Sequence, residues 1–175
     1  MSTGYTQTFG DENHSLVSLS WLRIGQMVDQ IARQVGRDGA PQTLVAVLRG
    51  GAIPAVWLSH RLQLRDVRAV EVTHTINEGP HAAKVPQPVA VNPESLGNLA
   101  DRDVLLVDDV AGTGHTMDVA QRLASGAGAG RVRSAVCSVN VDNWTSPLPA
   151  GETITYIGAT TRGWVIFPWE SNHER

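Results

Sequence analysis

Asp108 and Asp109 stand side by side at the end of an apolar run, Val104-Leu-Leu-Val, and ahead of a small-residue loop, Val110-Ala-Gly-Thr-Gly-His-Thr116. An apolar periodic run follows (Met117, Val119, Ala120, Leu123) and predicts a helix. A strand that delivers carboxylates to a glycine loop entering a helix suits a particular ligand. Backbone N–H groups along Val110, Ala111, Gly112, Thr113, Gly114, His115 and Thr116, with the hydroxyls of Thr113 and Thr116, suit a phosphate. The two carboxylates suit ribose hydroxyls, or a divalent cation held through them. A ribose phosphate accompanied by a metal is what this spacing asks for.

The elements that must position these groups alternate between two periods. From Ser20 the apolar residues Trp21, Ile24, Val28, Ile31 and Val35 recur at helical spacing, with Ser18 or Ser20 as N-cap and Gly36 to Pro41 as the exit. Residues 43–48 read as a strand, followed by the loop Arg49-Gly50-Gly51 and a helix to about residue 63. A strand over 67–73 precedes a segment, 74–100, rich in breakers and without clear period. Such a loop is functional or mobile more often than not. Strands are expected over 104–107, 131–141 and 153–158, with a helix to about Ser125 between the first two. This order implies an α/β fold, a mostly parallel sheet flanked by helices, with ligands at the carboxyl ends of its strands. Residues 1–17 read as a flexible lead-in and 18–175 as one domain.

Composition narrows the function classes. A chain of 175 residues with 42% apolar and 18% charged residues can bury one sizeable core. A net charge of −3 disfavours nucleic-acid binding, which calls for a basic face. No apolar run approaches the about 18 residues of a membrane span, and the first residues are polar, so a cytoplasmic location is expected. The single cysteine, Cys137, lies in an apolar run and reads as a buried structural thiol. No Walker A loop occurs, and the start of a dinucleotide fingerprint at Gly112-Thr-Gly114 fails at Met117.

The segment 104–116 resembles the 5-phosphoribosyl-1-pyrophosphate (PRPP) binding motif of the type I phosphoribosyltransferases. Val45-Ala-Val-Leu-Arg-Gly-Gly-Ala-Ile-Pro54 is similar to that family's pyrophosphate loop. Trp164-Val-Ile-Phe-Pro-Trp-Glu170 resembles the base-covering tail of its xanthine/guanine/hypoxanthine branch, a tail taken here as 159–170. The matches come in the family's order. The resemblance implies the type I fold with a small hood made by terminal segments. It implies transfer of phosphoribose from PRPP to a heterocyclic base, with Mg²⁺ held through Asp108 and Asp109, in a homodimer or higher homo-oligomer. Arg49, Gly50 and Gly51 would meet the leaving pyrophosphate, with a non-proline cis peptide near Leu48–Arg49. Lys84 would reach PRPP from a closing loop over 74–100 that also holds His74 and His81. Trp164 would stack on the base, and Val165 would offer its backbone to the base edge.

Two positions depart from the branch. Gly112 stands where the 6-oxopurine enzymes carry an aspartate that handles a ring proton, and glycine cannot act as a base. Asp142 falls where those enzymes place a lysine on the purine 6-oxo group; a slip of register would put Asn140 or Asn143 there. An acceptor at that edge favours a base with an amino or carboxamide donor. A different class of function, a PRPP-sensing regulator without catalysis, would also fit Gly112.

Overall fold

A computed structural model describes residues 8–9, 16–75 and 84–170 of the chain. The first long helix, α1 (Trp21–Asp38), forms because its apolar residues fall on one stripe: Ile24, Met27, Val28, Ile31 and Val35 are all buried. Its first turn is closed by Ser20, whose hydroxyl accepts the Arg23 N–H at 3.3 Å. The chain then runs through β3 (Thr43–Leu48), α2 (Ala52–Leu62), β4 (Val67–Thr75), β5 (Lys84–Ala90), a 3₁₀ turn at Pro93–Leu96 and β6 (Asp103–Ala111). α3 (His115–Gly126), β7 (Arg131–Asn140), a single turn α4 (Ala150–Thr153), β8 (Tyr156–Thr161) and β9 (Trp164–Ile166) complete it. Two short strands, β1 (Thr8–Phe9) and β2 (Leu16–Ser18), precede α1.

The main sheet has seven strands in the order β1-β8-β7-β6-β3-β4-β5. Every neighbouring pair is parallel except β4 and β5. Its central strands are apolar without alternation because both faces are covered. α1 and α2 lie on one face, over Leu44, Ala46, Leu105 and Val107. α3 and the 3₁₀ turn lie on the other, over Val45, Val47, Leu106 and Val136. Cys137 is fully buried, and burial pushes its thiol well above the usual range, as expected of a structural cysteine. No described helix is long and apolar enough to cross a membrane.

Charged side chains tie together the strand starts, opposite the acid pair. Arg133, only 2% exposed, is held by both oxygens of Asp103, by the Gly39 carbonyl and by the Tyr156 hydroxyl, which donates to Asp38. Beside it Asp66 accepts from Thr43, Arg68 and Arg102. These pairings leave the buried guanidinium compensated.

Four sequence expectations need correction. Residues 84–96, expected within a loop without structure, form β5 and the 3₁₀ turn; prolines at 86 and 88 are compatible with an edge strand. Leu16 and Val17, placed in the lead-in, form β2 together with Ser18, and the parallel partner of β2 is β9 at the other end of the sequence. β6 does not stop before the acids but carries them, since its ladder with β7 continues to Ala111↔Val139. The last core strand starts at Tyr156 and not at 153, because α4 occupies the preceding turn.

Candidate active site

β3 and β6 are adjacent, so the loops leaving their carboxyl ends share one crevice. The loop at Arg49-Gly50-Gly51 lies directly against the end of β6. A β-carbon on Gly51 would stand 2.3 Å from the Val107 carbonyl oxygen and 2.5 Å from that of Val47. On Gly50 it would stand 2.0 Å from Asp109 Oδ2. Both glycines are therefore required by close approach, not by a turn. The peptide between Leu48 and Arg49 is cis, as the resemblance implies. Arg49 is exposed at the mouth of the crevice.

Asp109 is buried and Asp108 half-buried at the head of this crevice. Asp108 Oδ1 accepts the Asp109 N–H at 2.9 Å, and Asp109 Oδ1 accepts the Val110 N–H at 2.6 Å. Burial, then the negative charge of Asp109, pushes the Asp108 carboxyl well above its ordinary range. Burial and the charge of Glu170 raise Asp109 to about 6, against the Val110 hydrogen bond. Two adjacent acids, with the charge of Glu170 acting on one of them, fit a site for a cation or for hydroxyl donors. Among the described residues no group of three or more metal-ligating side chains is gathered. Mg²⁺ commonly takes one or two carboxylates and completes its shell with water and substrate phosphate oxygens, so Asp108 and Asp109 are the residues that could hold it.

After Ala111 the chain turns through Gly112, Thr113 and Gly114 into α3. Gly114 has φ +86° and caps α3 with no side-chain hydrogen bond of its own. Thr113 Oγ1 accepts the His115 N–H at 3.4 Å. Trp144, on the loop after β7, walls this turn: a β-carbon on Gly114 would lie 3.0 Å from its ring. Its indole N–H donates to the Leu148 carbonyl at 2.8 Å, which fixes the ring. On Gly112 a β-carbon would meet only the Asn143 β-carbon, at 3.7 Å.

The tail returns over the same end of the sheet. Trp164, 36% exposed, opens β9 opposite Leu16 of β2, and Val165 next to it is buried in the core. Trp169 is a packing residue: its ring stacks on Phe167 at 4.7 Å and meets Trp21 at 5.8 Å. Glu170 Oε2 accepts the Phe167 N–H at 2.7 Å, and its charge acts on Asp109.

The structure thus brings together Arg49, Gly50, Gly51, Asp108, Asp109 and the 110–116 loop, with Trp164 and Val165 on the tail above the same strand ends. Asp142 is at the end of β7 as expected, but both its oxygens are engaged, one by Arg162 Nη1 at 3.0 Å and one by the Gly163 N–H at 2.8 Å. Lys84 opens β5 in register with Thr75, and His74 lies in β4; of the expected closing loop over 74–100, residues 76–83, His81 among them, lie outside the described residues. Sequence reasoning assigned nothing to Glu170 or Trp144. Glu170 was in view as the acid ending the tail motif, whereas nothing local marked Trp144.

Comparison with known proteins agrees with this geometry. The phosphoribosyl transferase domain family matches residues 19–147. A xanthine-guanine phosphoribosyltransferase of Cereibacter sphaeroides is 26% identical over 157 residues, 87% of this chain and 78% of that protein. A purine phosphoribosyltransferase structure from Pyrococcus horikoshii superimposes with a TM-score of 0.71 at 30% identity, covering 89% of this chain and 94% of the other. A Neisseria gonorrhoeae protein solved with bound ppGpp shares the fold alone, at 20% identity and a TM-score of 0.73, covering 97% and 93%. A match over most of the length, with the acid pair and both glycine loops meeting at one sheet end, leaves one conclusion: the chain belongs to the phosphoribosyltransferase family, with purine phosphoribosyltransferases among its relatives.

Proposed function

We propose that this protein transfers the phosphoribosyl group of PRPP to a purine or purine-like base, giving a nucleoside 5′-monophosphate and pyrophosphate. The observation that carries the reading is the Asp108–Asp109 pair, with the buried Asp109 carboxylate packed against Gly50 and the Asp108 backbone against Gly51. A pair so placed is suited to ribose hydroxyls and a cation, and to little else.

In this reading the amides of 112–116 and the hydroxyls of Thr113 and Thr116 bind the 5′-phosphate, so binding energy remote from the reacting carbon orients it. Asp108 and Asp109 accept from the ribose hydroxyls and hold the cation. Gly50 and Gly51 expose backbone N–H groups to the pyrophosphate, and Arg49 adds charge-assisted hydrogen bonds as negative charge builds on it. Lys84 contributes from the start of β5. Bound Mg²⁺ supplies further neutralisation of the leaving group. Trp164 stacks on the base, and the Val165 backbone addresses its edge. With Asp142 engaged by Arg162 and Gly163, the side chain nearest Gly112 on the base side is Asn143, whose amide both donates and accepts.

Incubation with PRPP, Mg²⁺ and a panel of bases, with pyrophosphate release followed and nucleotides identified by mass, tests the reaction. Gly112 favours a second reading, a PRPP-binding regulator. PRPP binding with no pyrophosphate release for any base would select it.

A further inference from the structure

We propose that Asp142 and Asn140 form a clasp on Gly163 that sets the orientation of Trp164, making them positioning residues for base binding. The inference rests on the reading of Trp164 as the stacking ring. Gly163 is gripped on both sides of its backbone. Its N–H donates to Asp142 Oδ2 at 2.8 Å, and its carbonyl accepts from Asn140 Nδ2 at 2.6 Å. The clasp is itself braced: Asn140 is buried, its Oδ1 accepts the Asp142 N–H at 3.1 Å, and the Val141 N–H donates to the Thr161 carbonyl at 3.0 Å.

Why the ring needs such help follows from what else holds it. Gly163 has φ +81°, so the chain enters β9 through a left-handed turn that fixes the direction of the next residue. β9 has three residues and its partner β2 also three, an isolated pair too short to be stable unaided. Trp164 is 36% exposed, so packing covers only part of its ring. β7 is paired on both sides, with β6 and β8, and the clasp ties the turn to its end. A ring already in place loses less freedom when a base arrives.

The contacts of Asp142 are unequal. Its pairing with Arg162 is partly exposed, with side-chain exposures of 24% and 41%, and contributes little. The bond from the Gly163 N–H to the carboxylate is the stronger one. Asp142→Asn keeps an acceptor for that N–H, so it should behave nearly as the unmodified protein, as should Arg162→Ala. Asp142→Ala should not.

Binding of guanosine 5′-monophosphate, measured by titration with ribose 5-phosphate as control, reads the effect without turnover. Stacking tolerates any purine, so the probe need not be the natural product. Asp142→Ala should weaken the mononucleotide by up to about ten-fold, the size expected when binding must immobilise one side chain that is no longer held in place. It should leave ribose 5-phosphate unchanged. In the Trp164→Ala background the same substitution should add almost nothing, since both act through one ring. Losses that multiply in the double variant, with Trp164→Ala effective alone, would overturn the clasp and leave the stacking reading intact. Trp164→Ala without effect on the mononucleotide would fail the stacking reading, and the clasp with it. Equal loss of both ligands in Asp142→Ala would mean a general structural role and also overturn it. If Asp142→Ala does not fold, Asp142→Ser, a shorter acceptor, serves in the same comparison.

Discussion

The carboxylate of Asp109 occupies the space in which a β-carbon on residue 50 would stand, 2.0 Å from Oδ2. Two loops far apart in sequence are thereby fitted into each other at atomic contact. The acid is also held by the Val110 N–H and cannot swing aside without loss.

Gly50→Ala should therefore cost about 1–3 kcal/mol as an overpacking substitution and should weaken PRPP binding by displacing Asp109. A thermal melt with and without PRPP·Mg²⁺ measures both. A variant that melts and responds like the unmodified protein would show that the loops are not so interlocked.

Removing the acid pair should separate stability from binding. Asp108→Asn with Asp109→Asn relieves burial of charge and mutual repulsion, so the unliganded melting temperature should hold or rise. The stabilisation by PRPP·Mg²⁺ should vanish. A ligand-induced shift of undiminished size would contradict the proposed site.

The same pair predicts a pH dependence with a definite sign. Asp109 is raised to about 6 and Asp108 is raised further than an ordinary carboxyl. Groups raised in the folded state bind protons more tightly there than in the unfolded chain. Their favourable contribution is complete below the ordinary carboxylate range and is lost as pH climbs through the folded values. Unliganded protein should lose stability between about pH 4 and pH 6 through Asp109, with Asp108 adding a loss of the same sign above the ordinary carboxylate range. The Asp-to-Asn double variant should show a flatter profile in that window. Mg²⁺, competing with these protons, should stabilise the protein more as pH rises. Identical profiles for the two proteins would exclude the effect.

Gly112 offers room for a side chain, because a β-carbon there meets only Asn143 at 3.7 Å. Gly112→Asp should fold normally, with a melting temperature near that of the parent. If base turnover is limited by the missing proton acceptor, the substitution should raise hypoxanthine and guanine turnover by about 10²-fold, the lower range for a positioned general base. No gain would indicate that proton removal is not what limits those bases.

How legible all this was in the sequence depends on the range of the forces involved. α1 and β3 were readable because period and caps are local: Ile24, Val28, Ile31 and Val35 mark the stripe, and Ser20 caps it. The acid pair and both glycine loops were readable because their residue types have few other uses at such positions. β2 and β5 were not, since short edge strands owe their existence to partners that no local pattern announces. Asp142 was placed at the correct strand end, but its engagement with Arg162 and Gly163 depends on a turn that only the folded tail supplies. The same holds for Trp144 against Gly114 and for Glu170 acting on Asp109.

The pairing of β2 with β9 joins Leu16 to Trp164 across almost the entire sequence. Closing so large a loop brings its entropic cost before any contact repays it, so this small sheet belongs late in folding. Few hydrogen bonds hold it, so it also belongs among the segments that open first. The order of assembly then mirrors the order of use. On the proposed function, the strand ends that would seat the ribose phosphate belong to the part that forms early, and the cover over the base would be the part released most cheaply.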